Sequence, residues 1–120
     1  MKYIKKKLAI DNVRLVDIAR KFDTPTYCYS YTQLKKNINS FKKNFKTFSP
    51  LICFAIKSNT NLNLIKEIQK FGLGADVVSM GELMMALKAG INPKKIVFSG
   101  VGKTASEISY AIDKKILLIN

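Results

Sequence analysis

Apolar residues recur at intervals of three and four in several stretches of the chain, with polar residues between them. In 31–46 the apolar positions alternate with lysines, which predicts an amphipathic helix. The same spacing predicts a helix over 14–22, which the Thr24-Pro25 pair ends because a residue before proline disfavours helical geometry. Three more helices are predicted over 64–71, 81–89 and 104–113.

Short runs rich in apolar residues alternate with these helices and predict strands. They are TYCYSY (26–31), LICFAIK (51–57), GADVVS (74–79), KIVFSG (95–100) and KILLIN (115–120), with a possible edge strand at Lys7–Ile10. Strand followed by helix in regular alternation indicates a parallel α/β sheet or barrel with right-handed crossovers. A parallel barrel needs about 250 residues. An open five-stranded sheet would fit into 120 residues, so length does not decide between the two.

Two helix starts carry an additional signal. Ser79-x-x-Glu82 and Thr104-x-x-Glu107 each match a capping box, in which the serine or threonine and the glutamate bond to backbone amides of the first turn. Gly72 and Gly90 follow predicted helices and are suited to ending them.

The charge of the chain is strongly unbalanced, with 21 basic and 8 acidic residues and a net charge of +13. Such an excess suggests an anionic partner. Only Arg14 and Arg20 are arginines, the better residue for phosphate recognition. The lysines are scattered along the chain, and the largest group of them lies on the polar faces of the helix predicted over 31–46. We therefore predict no nucleic-acid partner.

Neither a membrane segment nor an export signal is indicated. The longest stretch without a charge, 24–34, is shorter than the roughly 18 residues that a spanning helix needs. The apolar part of the basic N-terminus is too short for a signal peptide. We expect a cytoplasmic protein in which Cys28 and Cys53 are reduced thiols.

Lys57 is the most unusual single residue, because it ends a strongly apolar predicted strand. Alternation along 51–57 places it on one face with the small residues Cys53 and Ala55, whereas Phe54 and Ile56 point the other way. Enzymes with parallel barrels place catalytic groups at such strand ends, and a desolvated lysine can act as a nucleophilic amine. The alternative is a lysine that extends into solvent at the end of a strand.

Asp76 is a second candidate, since a carboxylate is disfavoured in the middle of a strand. The alternatives are a turn residue or a surface ion pair. SGVGKT (99–104) lacks the earlier glycine of a phosphate loop, because Val97 stands in that position, so a glycine-rich turn is favoured. The chain has no histidine, which excludes Ser-His and Cys-His nucleophiles and histidine metal ligands within it; we predict no metal site.

These segments together resemble a known family. CFAIKSNTN (53–61), GLGADVVSMGEL (72–83) and IVFSGVGKT (96–104) are similar to the N-terminal part of diaminopimelate decarboxylases, and TPTYCYSYTQLKKNI (24–38) matches their barrel entrance. That family belongs to the alanine-racemase-like pyridoxal-phosphate enzymes, which combine a (β/α)8 barrel with a β-domain. The resemblance implies a partial barrel, with 1–24 belonging to the β-domain and 25–120 to the first part of the barrel.

The resemblance also implies roles for individual residues. Lys57 falls on the lysine that forms a Schiff base with pyridoxal 5'-phosphate, and Asp76 on an aspartate near the cofactor; Asn59 is a weaker candidate in the lysine loop. The cofactor-stacking histidine, the glycine-rich phosphate site, the substrate-binding residues and a cysteine from the partner subunit have no counterpart in the chain. It therefore resembles an N-terminal fragment, expected to be inactive alone, of an enzyme that acts as a homodimer when full length.

The implied reaction is decarboxylation of meso-2,6-diaminopimelate, a small amino-acid substrate, to L-lysine and carbon dioxide. A related decarboxylase for ornithine, arginine or a carboxylated polyamine such as carboxynorspermidine remains an alternative, because the specificity residues lie outside the matched segments. An alternative of another class is a basic binding protein without catalysis.

Overall fold

The structure is a computed structural model that describes residues 1–4 and 6–120. The chain divides into two compact units, Met1–Phe48 and Ser49–Asn120. None of the helices in the described part of the chain is long and apolar enough to cross a membrane.

The first unit begins with a three-stranded antiparallel sheet. Its strands are β1 (Lys2–Ile4), β2 (Lys7–Ile10) and β3 (Val13–Arg14), in the order β1-β2-β3. Asp11 and Asn12 join β2 to β3 with positive φ angles of 47° and 69°, as a two-residue hairpin turn of the primed type requires. The prediction of an edge strand at Lys7–Ile10 was wrong in its position, because β2 has a partner on both sides and is the central strand.

Two helices complete this unit, α1 (Leu15–Phe22) and α2 (Tyr31–Asn44). Ser30 caps α2, its hydroxyl oxygen accepting from the Gln33 amide at 3.0 Å. The Asp11 carboxylate accepts from the Ser30 hydroxyl at 2.7 Å and from the Thr32 amide at 3.0 Å. The hairpin turn is thereby bonded to the start of α2, and these bonds, the Thr32 amide foremost, lower the pKa of Asp11.

The predicted strand over 26–31 is not present. Residues 26–30 have no regular secondary structure, and Tyr31 is already the first residue of α2. The β-branched and aromatic composition favours extended backbone, but a strand also needs a neighbour for its ladder hydrogen bonds. Within the described residues no strand pairs with this segment.

The second unit is a parallel sheet with helices in the connections. The strands are β4 (Cys53–Ala55), β5 (Gly74–Val77), β6 (Ile96–Phe98) and β7 (Leu118–Ile119), in that spatial order. The connecting helices are α3 (Leu62–Lys70), α4 (Met80–Lys88) and α5 (Ala105–Asp113). The predicted alternation and all three predicted helices are confirmed, whereas each strand is shorter than its apolar run.

The core of this unit lies between the sheet and its helices. On one sheet face Ala75, Val77, Ile96 and Phe98 are fully buried, and they pack with helix residues that include Ile65, Leu83, Ala86 and Ala111. Phe54 and Ile56 contribute to the same core, as the alternation predicted. The opposite face carries Cys53, Ala55, Asp76 and Val97, which are only half-buried in the described chain.

Candidate functional site

Lys57 lies just beyond the carboxyl end of β4, in a 3-10 turn formed by Ile56–Ser58. The prediction of a strand reaching Lys57 was therefore wrong, and alternation along the strand ends at Ala55. The Ser58 hydroxyl donates to the Ala55 carbonyl at 2.8 Å, and the Asn59 amide donates to the Ile56 carbonyl at 3.0 Å. These bonds form a turn directly after β4, in which Ile56 is still buried in the core.

The segment after the turn is built by asparagines. The Asn59 side-chain oxygen accepts from the Asn61 amide at 2.9 Å. Asn61 in turn caps α3 by accepting from the Asn63 amide at 2.9 Å. Short polar side chains that bond to nearby amides favour turns and helix starts. Asn59 thus helps to define the loop that carries Lys57.

The Lys57 side chain is exposed in this chain, not desolvated as a strand position would suggest. Among residues 1–4 and 6–120, no group forms a hydrogen bond or an ion pair with its amine. The structure therefore presents, at the carboxyl edge of the sheet, a primary amine that no described residue binds.

Asp76 lies on the neighbouring strand β5. The register pairs Ala55 with Asp76 and Asp76 with Val97, so these side chains share the half-buried face. The Ser99 hydroxyl donates a hydrogen bond to Asp76 Oδ1. Asp76 is therefore neither a turn residue nor, among the described residues, a member of an ion pair.

Ser99 was not singled out from the sequence. It follows β6 and lies two residues after Val97, the register partner of Asp76. Residues two apart on a strand face the same side, and a diagonal neighbour on the next strand is within reach of polar side chains. A serine diagonally opposite Asp76 is the feature that identifies this pair. It can be recognised only when the register between β5 and β6 is known.

Cys53 lies on the same face as Asp76. Burial raises the pKa of the Cys53 thiol, and the negative charge of Asp76 raises it further. The sulfur lies 3.8 Å from the Lys95 carbonyl oxygen. This environment favours the neutral thiol over the thiolate.

The SGVGKT segment connects β6 to α5 as a turn, in agreement with the prediction. The Lys103 ammonium donates to the Gly100 and Asn120 carbonyl oxygens, which follow β6 and β7. It also lies 5.3 Å from the centre of the Phe98 ring. Lys103 thus holds two neighbouring strand ends together.

Thr104 and Glu107 form the predicted capping box at the start of α5. The Glu107 carboxylate also accepts from the Met80 amide, the first residue of α4, at 3.0 Å. Its bonds to the Thr104 amide, first, and to the Met80 amide lower the pKa of Glu107. One carboxylate therefore serves the N-termini of two helices.

The second capping box is only half formed. The Ser79 hydroxyl oxygen accepts from the Glu82 amide at 3.2 Å, as predicted. The Glu82 carboxylate, however, accepts from the Val78 amide at 2.9 Å, one residue before the cap. Because the Met80 amide is bonded to Glu107, the start of α4 is stabilised from two sides.

The carboxyl edge of the sheet thus carries the Lys57 amine, which has no partner among the described residues, and a polar pair formed by Asp76 and Ser99. Ligands of parallel α/β proteins bind at this edge. An amine there can condense with a carbonyl group, and a carboxylate can orient or charge-balance a bound ligand.

Comparison with known proteins identifies the family. Residues 31–120 match the family model described as pyridoxal-dependent decarboxylase, pyridoxal binding domain. The diaminopimelate decarboxylase of Aquifex aeolicus is 43% identical over 120 residues, which is 100% of this chain and 28% of that protein.

Two solved structures are also similar. The diaminopimelate decarboxylase of M. jannaschii, in complex with L-lysine, superimposes with a TM-score of 0.95 at 36% identity, over 99% of this chain and 29% of that one. The diaminopimelate decarboxylase of Helicobacter pylori, also in complex with L-lysine, superimposes with a TM-score of 0.84 at 42% identity, over 89% of this chain and 27% of that one.

The chain spans less than a third of the length of these relatives. Its parallel sheet corresponds to the N-terminal part of their α/β barrel, in agreement with the predicted fold class. The family match extends over three quarters of the chain, from the first residue of α2 to the last residue after β7. The protein therefore belongs to the pyridoxal-dependent decarboxylases, and residues 31–120 are part of their pyridoxal-binding domain.

Proposed function

We propose that the full-length protein decarboxylates meso-2,6-diaminopimelate to L-lysine and carbon dioxide. The observation that carries this proposal is the Lys57 amine beside β5, in a chain that is 43% identical over its whole length to a diaminopimelate decarboxylase. The L-lysine complexes of two relatives support it, because L-lysine is the product of this reaction.

The described residues fit the cofactor of the family in their chemistry. Pyridoxal phosphate carries an aldehyde, and Lys57 offers a primary amine with no competing partner in the described chain. Asp76 and Ser99 supply a carboxylate and a hydroxyl on the adjacent strands. When bound, the cofactor acts as an electron sink that stabilises the carbanion left by loss of carbon dioxide.

Within this proposal, the chain supplies one side of the active site. Lys57 would hold the cofactor covalently, Asp76 would lie near the cofactor and orient the polar groups there, and Asn59 shapes the lysine loop. The phosphate-binding and substrate-binding groups come from residues outside this chain and from a second subunit of a homodimer. We place the enzyme in the cytoplasm, with residues 1–24 in a β-domain and 25–120 in the barrel.

Borohydride reduction of the full-length protein with pyridoxal phosphate tests the role of Lys57. We expect the cofactor to be fixed to Lys57 and located there by peptide mass spectrometry. Lys57→Ala should abolish the label and lower kcat on the order of a thousandfold or more. Lys66→Ala is the matched control, because Lys66 is an exposed lysine of α3. Label on another lysine, or its persistence in Lys57→Ala, would contradict the assignment.

Carbon dioxide release from a panel of amino acids tests the substrate. We expect turnover of meso-2,6-diaminopimelate with a kcat/KM well above those for ornithine, arginine and carboxynorspermidine. A preference for one of those three would assign the protein to a related decarboxylase. Absence of turnover together with absence of cofactor binding would favour a binding protein without catalysis.

A further inference from the structure

Ser99 and Asp76 form a polar pair on a sheet face that is otherwise lined by small or apolar residues. Ser99 donates to Asp76 Oδ1, and both residues are half-buried. Within the described chain no hydrogen bond reaches Asp76 Oδ2. One oxygen of the carboxylate is therefore held and the other remains available to a ligand.

The backbone on either side of Ser99 is held in place. The Ser99 amide donates to the Val77 carbonyl at 2.9 Å, which continues the β5–β6 ladder beyond the last strand residue. At the next position, a Cβ on Gly100 would lie 2.2 Å from the Val78 carbonyl oxygen. Gly100 thus passes too close to Val78, the residue after β5, to carry a side chain. With its backbone held, the Ser99 hydroxyl is a preorganised donor.

We propose that Ser99 is a positioning residue for the cofactor and acts through Asp76. Its hydrogen bond holds the Asp76 carboxylate in one orientation. The carboxylate therefore loses little rotational freedom when Oδ2 contacts the bound cofactor, and this lowers the entropic cost of binding. This inference rests on the proposed function, since it takes Asp76 to face the bound cofactor. It assigns to Ser99 the orientation of the carboxylate and no contact with the cofactor.

The test compares Ser99→Ala and Ser99→Thr in the full-length protein. The readouts are the dissociation constant of pyridoxal phosphate and the circular dichroism of its visible band, which reports how the cofactor is oriented. We expect Ser99→Ala to weaken cofactor binding about tenfold, equivalent to about 1.4 kcal/mol, and to reduce the band. Ser99→Thr keeps the hydroxyl and should restore both. Ser109→Ala, an exposed serine of α5, is the matched control.

A double-mutant cycle shows whether Ser99 acts through Asp76. We expect Ser99→Ala to have no further effect on binding or dichroism when Asp76→Ala, which removes the acceptor of the hydrogen bond, is already present. Additive effects, or unaltered affinity and dichroism in Ser99→Ala, would overturn the proposal. If Ser99→Ala does not fold, Ser99→Cys keeps a side chain of similar shape with a weak donor and takes its place.

The same samples are reduced with borohydride to separate this inference from the proposed function. Labelling of Lys57 in Ser99→Ala, with unaltered affinity and dichroism, would refute the role of Ser99 alone. Failure to label Lys57 in the unaltered protein would refute the proposed function and this inference with it.

Discussion

Gly74, the first residue of β5, lies so close to the backbone of Lys95 that only glycine fits at this position. A Cβ at this position would lie 2.1 Å from the Lys95 carbonyl oxygen and 3.0 Å from the Cys53 sulfur. The Lys95 carbonyl cannot withdraw easily, because it belongs to the backbone of the turn that ends just before β6. The sheet next to the candidate site therefore depends on the absence of a side chain.

Gly74→Ala should destabilise the full-length protein by about 1–3 kcal/mol or more, because the added methyl group overpacks the sheet. Gly81→Ala is the matched control, since at this exposed position in α4 the nearest atom to a Cβ is 3.9 Å away. There the alanine should stabilise by about 0.5–1 kcal/mol through helix propensity. Urea unfolding measures the stability of both variants. Equal unfolding midpoints for Gly74→Ala and Gly81→Ala would contradict the predicted steric clash at Gly74.

Among the secondary-structure elements, α4 and α5 are linked through their N-termini. Glu107 belongs to the first turn of α5 yet accepts a bond from the Met80 amide of α4. The first amides of a helix have no partner within the helix, and a carboxylate there also interacts favourably with the helix dipole. The two loops at the carboxyl ends of β5 and β6 are thus held by one side chain.

The lowered pKa of Glu107 has a consequence for stability at acid pH. Because the folded state favours the charged carboxylate, Glu107 contributes stability above its ordinary pKa. That contribution is lost as the pH falls through the lowered value. Glu107→Gln should lower the urea midpoint at neutral pH and flatten the decline in stability on the acid side.

Asp113→Asn is the control for that measurement, because Asp113 is an exposed carboxylate at the opposite end of α5. Removing a negative charge from a helix C-terminus should leave the midpoint unchanged or raise it. An acid-side profile for Glu107→Gln that coincides with the unaltered protein would refute the bridging role.

On the scale of the whole chain, the parallel sheet has two strands with a neighbour on one side only. These are β4 and β7, and in the described residues their outer edges carry no ladder hydrogen bonds. Large apolar side chains near them are exposed, among them Leu51 and Leu118. Unpaired edges with exposed apolar residues promote association with other strands.

A polypeptide of these 120 residues alone should therefore self-associate. Its net charge of +13 opposes this at low ionic strength. Raising the salt from about 10 mM to about 1 M shortens the screening length from about 30 Å to about 3 Å and should increase the associated fraction. Light scattering across this series measures it, with the full-length protein as control. A monodisperse monomer at all salt concentrations would contradict the expectation.

The sequence alone predicted the helices and their alternation with the strands of the parallel sheet. It also singled out Lys57 and Asp76 as candidates, and their roles stay predictions. Helix periodicity, caps and apolar runs are local signals, and the starts of α4 and α5 were readable from Ser79 and Thr104. The length of each strand could not be predicted from the sequence, because a strand extends only as far as a neighbouring strand pairs with it. Residues 26–31 favour extended backbone but find no partner in the described chain.

Only the three-dimensional structure showed how the site is arranged, through one local turn and one tertiary contact. The turn at Ile56–Ser58, which removes Lys57 from the strand, depends on local hydrogen bonds that an apolar run does not reveal. The pairing of Ser99 with Asp76 depends on the register between β5 and β6, which places residues 23 positions apart in contact. A sequence pattern encodes which residues prefer which element; the packing of strands against one another determines which side chains meet.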